Sequence, residues 1–411
     1  MRIAFVCDYA LNYTGGAQSV FFDEIELLRA SGYEVLVVAP RPPRGEMSAK
    51  IGDTAGLTES TWQIPGADLP VLRNSRTRRR HLERLFRDRR IDVVHVHSEF
   101  GLTSAAVAAA ARLGIPVVHT VHAFFWQGPD LRGLDRVAGA AIRSTVRALR
   151  GSPSWNRVHA PRAVDAALRS ATLTAAQAAD AVISPSAHQA EALRAAGLTH
   201  ATVVPNPMRT RTACPAPLTR IDGPLRVVWV GRLAREKRPL EFLHAVARAG
   251  KLLGPHSLDV TVIGDGPLLA EARQIADRMS PGGGSRIRFT GSVDRSEVDR
   301  RMRDSHLVAL TSFGADNQPV VVVEAFHAAR SVLYVDPRLE EGLADAGILC
   351  GSPEIEGMAA MLVHLVRHPE VVVARSAQTV AASERFSPER HVQALHTIYA
   401  TTRSRAGAGR R

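Results

Sequence analysis

Short runs of β-branched and apolar residues alternate with longer stretches of helical periodicity, and the pattern occurs twice along the chain. In the first half it predicts strands at Ile3–Cys7, Glu34–Ala39, Val93–Val96, Val117–Val121, Ala181–Ser184 and Ala201–Val204. Between them it predicts helices at Gln18–Ser31, Leu102–Leu113 with Gly114 as the C-cap, Leu173–Ala179 and Ala187–Ala196. The second half predicts strands at Leu225–Gly231, Asp259–Ile263, Ile287–Thr290, Leu307–Thr311 and Ser331–Tyr334. Its helices are expected at Pro239–Ala249, Leu268–Arg278, Val298–Ser305, Val320–Ala329, Ile355–His368 and Pro388–Thr401. Strands that are apolar on both faces imply parallel sheets covered by helices on each side. The Pro205-Asn206-Pro207 step and the Pro/Thr-rich run after it divide the chain. The expected parts are a Rossmann-like α/β domain over 1–207, a linker over 208–222 and a second Rossmann-like domain over 223–385. Residues 124–169 interrupt the rhythm and predict little.

Composition narrows the classes. With 45% hydrophobic residues in 411, the chain can bury substantial cores and is not disordered. Cys7, Cys214 and Cys350 lie far apart, so neither a disulfide framework nor a cysteine metal site is expected. The opening run meets Asp8 too early for a signal peptide, and Ala105–Ala111 is far short of a membrane span. A cytoplasmic protein is expected, with contact at the inner face of the cell membrane left open.

The formal charge of +12 first suggests nucleic acid, but it is concentrated. Arg73–Arg90 holds nine arginines against Glu83 and Asp88, and Leu82, Leu85 and Phe86 recur at helical spacing. An amphipathic helix with an Arg-dense outer face follows. Such a face suits plain solvation or an anionic lipid surface about equally. No aromatic stacking platform accompanies it, so nucleic acid is not an expected partner.

Candidate chemistry falls at strand ends, where doubly wound sheets bind ligands. Gly15-Gly16 opens the first helix and allows close approach of an anion, although a tight turn is the commoner use of such a pair. It is not the G-x-G-x-x-G fingerprint of dinucleotide enzymes. His119-Thr120-Val121-His122 ends an apolar strand: His119 is expected buried and satisfied, His122 at the mouth. Gly231 to Lys237 follows another strand, and Arg232 and Lys237 have the spacing to converge on a diphosphate, whereas Arg235 and Arg238 are expected to face solvent. Gly264-Asp265-Gly266 makes a backbone-exposing turn. In Asp316-Asn317-Gln318-Pro319, polar residues and proline begin a helix in which Glu324 stands within an apolar run, and a buried Glu needs a partner, either a ligand or a salt bridge.

Together these motifs resemble the retaining glycosyltransferases of family four, which have the GT-B fold. The N-terminal glycine pair, H-x-x-H, V-G-R-x4-K and the Asp316/Glu324 helix occur in that family's order over nearly the whole chain. The resemblance implies two facing Rossmann-like domains with a terminal segment, 386–405, crossing back to the first and a tail over 406–411. It implies that Gly15, Gly16, Arg232, Lys237, Gly264 and Gly266 border the donor diphosphate and that Glu324 holds the ribose. Asp316, Asn317 and Gln318 would contact the donor sugar, and His122 would sit by sugar and acceptor. The implied reaction moves a hexose from a nucleoside-diphosphate sugar, UDP-linked by preference, with retention and without a metal or other cofactor. Catalysis would fall to His122, Arg232, Lys237 and Asp316.

Two departures stand out. Asp316 replaces the commoner Glu, and Ala329-Arg330-Ser331 replaces the usual Gly-x-Pro. His97-Ser98-Glu99-Phe100-Gly101-Leu102 followed by His119–His122 is similar to the diacylglycerol glucosyltransferase branch. Phe124, Phe125, Trp126 and Trp155 among basic residues also suit a lipid-linked acceptor at a membrane surface. A soluble acceptor, a nucleotide-sugar 2-epimerase of the same fold, and a membrane or nucleic-acid adaptor on an inactive scaffold are the alternatives.

Overall fold

A computed structural model of the chain describes residues 1–9, 11, 15–40, 54–57, 62–63, 70–123, 133–209, 215–279 and 285–408. Phe124, Phe125 and Trp126, Cys214, and parts of the expected linker and tail lie outside them. The chain divides into two units, Met1–Arg209 with Pro388–Arg411, and Thr210–Ser387.

The first unit is built on seven parallel strands: β1 (Arg2–Val6), β2 (Glu34–Pro40), β3 (Thr54–Leu57), β6 (Val93–Val96), β7 (Val117–Thr120), β8 (Ala181–Ser184) and β9 (Ala201–Val203). Their order is β3-β2-β1-β6-β7-β8-β9, and a short antiparallel pair, β4 (Trp62–Gln63) and β5 (Pro70–Val71), stands apart. The alternation of β1 shows why both faces are covered. Ile3 and Phe5 pack with Phe21, Ile25 and Leu28 of the helix Gly16–Ala30 and with Leu395 and Tyr399 of the terminal helix Pro388–Ala408. Ala4 and Val6 point the other way, onto Leu82 and Phe86 of the helix Arg76–Asp88 and the alanines of the helix Gly101–Leu113. Each such large side chain removed from water contributes roughly 1.5–3 kcal/mol. The terminal helix therefore belongs to the first unit.

The second unit has six parallel strands: β10 (Leu225–Val230), β11 (Leu258–Ile263), β12 (Ser285–Gly291), β13 (Leu307–Leu310), β14 (Ser331–Tyr334) and β15 (Ile348–Leu349). They run in the order β12-β11-β10-β13-β14-β15. In both sheets the order reverses beside the unit's first strand, leaving a crevice at the carboxyl ends.

Several expectations change. The helix predicted from Leu173 begins at Ala163, and a further helix, Asp135–Arg150, occupies the unreadable insertion. Trp155 is partly buried against Phe100, Val146 and Leu149, so it packs on a core cluster and is not a fully exposed surface anchor. In the Arg-dense helix, Ser75 caps the N-terminus by accepting from the Arg78 backbone N–H. The Arg78 side chain is buried, and Arg79 bonds Asn74 Oδ1 at 2.8 Å, so neither belongs to the outer face, which Arg76, Arg80, Arg84 and Arg87 supply. Arg330 is buried as well. Its guanidinium donates to the carbonyls of Arg303, Ser305, Ala328 and Ala329 at 2.6–3.1 Å, and Ala329 takes the left-handed conformation (φ 52°) that glycine would adopt more easily. The departures from Gly-x-Pro are therefore Ala329, held in that left-handed backbone, and Ser331, whose hydroxyl donates to Ala346 O at 2.6 Å, while Arg330 at the variable position ties four carbonyls together.

Candidate active site

The crevice of the second unit is formed by the loops that leave β10 and β13. The β10 loop is held against the end of β11: Gly231 N–H donates to Ile263 O, and Leu233 N–H donates to Asp265 O. A Cβ on Gly264 (φ 132°) would stand 1.9 Å from Gly231 O, and one on Gly266 would stand 2.5 Å from Leu233 O. These two glycines therefore have a packing reason of their own, because only a missing side chain lets the loops approach this closely. The loop continues as a single 3₁₀ turn, Arg235–Lys237.

Thr311, just after β13, joins the two loops. Its hydroxyl accepts from Trp229 Nε1 at 2.9 Å and donates to the Lys237 carbonyl at 2.7 Å. That leaves the Lys237 ammonium directed at Asp316, with Nζ 2.5 Å from Oδ1, while the Ser312 hydroxyl bonds the other oxygen, Oδ2. Both side chains stay partly open, at 29% and 16% exposure, so a ligand can compete for them. Arg232 lies exposed in the same loop, as does Arg235. Arg238, expected in solvent, instead donates to Pro353 O at 2.7 Å and sits 3.8 Å from Glu241, because its left-handed backbone (φ 53°) turns it back before the helix Pro239–Leu253.

Asn317 and Gln318 are buried in the β13 loop, ahead of the helix Val320–His327, whose first turn has no side-chain cap. Glu324 lies on that helix 3.3 Å from Arg295 Nε, which supplies the partner a largely enclosed carboxylate requires. Arg295 was not anticipated; it opens the earlier helix Arg295–Asp304, which the Asp294 carboxylate caps. Away from this crevice, at the opposite ends of the strands, His244, Lys251, Arg278 and Met279 line a cavity of about 470 Å³.

In the first unit, Gly15 and Gly16 begin the helix Gly16–Ala30, and Gly15 (φ −109°) has an ordinary extended backbone, so no strained turn demands glycine there. Asp8, after β1, is fully buried. It accepts from the backbone N–H groups of Phe100 and Leu102 at 2.8 and 2.6 Å and from the Ser98 hydroxyl at 2.9 Å. It caps the helix Gly101–Leu113 from a distant part of the chain.

His122 follows β7 and is partly exposed, with Nε2 3.0 Å from Nδ1 of His97 and the two rings stacked. Behind it runs a buried polar chain. His97 Nε2 faces Glu24 Oε2 at 3.7 Å, Glu24 Oε1 lies 3.1 Å from His391 Nε2, and His391 Nδ1 lies 2.9 Å from the Pro205 carbonyl. His95 sits alongside, 2.8 Å from both the Tyr399 and Thr120 hydroxyls. Burial pushes His97 well below its ordinary value and His95 down to about 4, while Glu24 is lowered against its own desolvation by His391. His119 is buried as expected, but among the described residues neither ring nitrogen has a hydrogen-bond partner, and desolvation pushes it down to about 3. Sequence reading did not single out Glu24 or His391. The available signal was Glu24 beside Phe21, Ile25 and Leu28, a carboxylate on the apolar face of a helix.

Glu24, His95 and His97 bring one ligand atom each within 4.8 Å of one another. Both nitrogens of His95 already meet hydroxyls, so the three do not make an open ligand set. Among the described residues no helix is long and apolar enough to cross a membrane.

Residues 14–211 match the family model described as Glycosyltransferase Family 4, and residues 224–368 match the one described as Glycosyl transferases group 1. Phosphatidyl-myo-inositol mannosyltransferase of Mycolicibacterium smegmatis is 26% identical, over 94% of this chain and 89% of its own. Alpha-monoglucosyldiacylglycerol synthase of Acholeplasma laidlawii is 23% identical, over 97% and 96%. Among solved structures, the pneumococcal O-GlcNAc transferase GtfA with UDP and GlcNAc superposes at a TM-score of 0.69 with 11% identity, covering 97% of this chain and 99% of that one. Anabaena HepE with UDP and glucose gives 0.66 with 15% identity, covering 97% and 100%. The two α/β units have the GT-B fold, and the chain belongs to the glycosyltransferases of family four.

Proposed function

We propose that this enzyme transfers a hexose from a UDP-linked donor to a hydroxyl of a membrane lipid, with retention at the anomeric carbon. The observation that carries the reading is the Lys237–Asp316 pair at the reversal point of the second sheet, with Arg232 exposed in the same loop. Breaking a sugar–phosphate bond develops negative charge on the diphosphate and positive charge on the anomeric carbon. An arriving diphosphate draws Lys237 and Arg232 to its oxygens, where fixed cations stabilise the leaving group. Asp316, released from Lys237, turns to the sugar hydroxyls with Asn317 and Gln318. Glu324, now on Arg295, takes the ribose. The acceptor then attacks on the face the phosphate leaves, and that phosphate receives its proton, so no separate carboxylate base is required. Solved neighbours that hold UDP support the nucleotide. The lipid acceptor is supported by the two relatives whose names specify phosphatidylinositol and diacylglycerol products or substrates.

A screen of nucleotide sugars for hydrolysis, with and without lipid acceptors, tests this directly. UDP-hexose turnover accelerated by a lipid alcohol is expected; no turnover of any nucleotide sugar would overturn the reading. Arg76, Arg80, Arg84 and Arg87 together are expected to bind anionic headgroups at about 1 kcal/mol each. Replacing all four with Ser should abolish sedimentation with anionic liposomes, and unchanged sedimentation would remove the membrane part of the proposal.

A further inference from the structure

The buried chain behind His122 has a proton arrangement that its geometry determines. We infer that Glu24 and His97 are positioning residues for His122, fixing its ring as the tautomer protonated at Nε2 and leaving Nδ1 as an acceptor. Their service to catalysis rests on the proposed transfer reaction, in which His122 meets sugar or acceptor. The tautomer follows from the donors and acceptors along the chain and from the burial that keeps His97 neutral.

A carbonyl can only accept, so His391 Nδ1, 2.9 Å from Pro205 O, carries a proton. One further proton lies between His391 Nε2 and Glu24 Oε1, which are 3.1 Å apart. The other oxygen of Glu24 faces His97 Nε2 at 3.7 Å, and both atoms are buried. A proton on Nε2 is attracted to that carboxylate; a bare nitrogen there would set two lone pairs against each other in a dry interior. His97, held neutral by burial among His95, His119, His122 and His391, has only one ring proton to place. Its Nδ1 is therefore an acceptor, and His122 Nε2, 3.0 Å away, must donate. When one nitrogen's hydrogen bond is set, the role of the other is set with it. With His122 kept neutral by burial, its Nδ1 then carries no proton and can only accept. The chain is anchored on the terminal helix through His391, so that helix orients a residue more than 250 positions earlier in the sequence.

Ring-¹⁵N-labelled wild-type protein, with His122 assigned from His122→Asn, reports the tautomer in long-range ¹H–¹⁵N correlation spectra. His122 protonated at Nε2 is expected. In Glu24→Gln, whose amide can donate or accept, both tautomers should appear. The kcat for donor hydrolysis should fall roughly ten- to a hundredfold with KM little changed, and Glu24→Asp should recover most of it. A wild-type His122 protonated at Nδ1 overturns the inference without any substitution, even if the variants do not fold. So does a Glu24→Gln protein with unchanged tautomer and unchanged kcat. The expected wild-type tautomer in a protein that hydrolyses no nucleotide sugar would leave the assignment standing and overturn the functional reading.

Discussion

The two units handle their polar groups in opposite ways. In the first, Glu24, His95, His97 and His391 are sealed inside, and the protons of His97 and His391 are placed by neighbours a few ångströms away. In the second, Lys237, Asp316, Arg295 and Glu324 pair while remaining partly open to solvent. A sealed network holds one arrangement, because any unsatisfied member costs free energy. Partly open pairs exchange partners cheaply, because water screens each charge that is left alone. The first arrangement suits a group that must be oriented; the second suits charges that a diphosphate must claim.

The largest expected effect lies on the open side. Lys237→Ala should lower donor hydrolysis roughly a hundred- to a thousandfold while the melting temperature stays near that of the parent. Near-normal turnover would erase the functional half of the contrast. Arg330 sharpens it from within the second unit, as a cation that is buried and therefore structural. Arg330→Met leaves the carbonyls of Arg303, Ser305 and Ala328 without this donor, while Ala329 O keeps the Ser376 hydroxyl, and should cost roughly 2–4 kcal/mol of stability, read from chemical denaturation; a cost below about 1 kcal/mol would mean that the carbonyls find other donors. A smaller effect tests the sealed side. Glu99 is buried after β6; desolvation, with repulsion from Asp8 and despite attraction to Arg150, pushes its carboxyl from 4.5 up to about 8. The folded protein therefore keeps this proton to higher pH than the unfolded chain, and stability falls as pH rises through that interval. Glu99→Gln should flatten the loss of thermal stability as pH rises from 4.5 to about 8. An equally steep profile would show that Glu99 titrates freely.

Legibility in the sequence followed the same physics. Val93–Val96, Ala181–Ser184 and Ser331–Tyr334 coincide with observed strands because buried parallel strands are plain apolar runs. The helix Pro369–Ser383 was missed, since Val371-Val372-Val373 reads as a strand although Pro369 at its first turn is a start signal. The helix Ala163–Ala176 began unseen because alanine-rich turns carry little amphipathic contrast. Arg232, Lys237 and Asp316 could be singled out because strand-end loops concentrate polar residues over a few positions. Glu24, His97 and His391 could not be connected, because their proximity comes from three elements far apart in the chain.

Calorimetric titration of UDP into the wild type and Lys237→Ala, with uridine alongside, tests the central claim most directly. UDP should bind the wild type and weaken more than about tenfold in the variant, each tenfold step being about 1.4 kcal/mol, whereas uridine, lacking phosphates, should bind both proteins alike. Equal UDP affinity in the two proteins, or no UDP binding to either, would contradict the account.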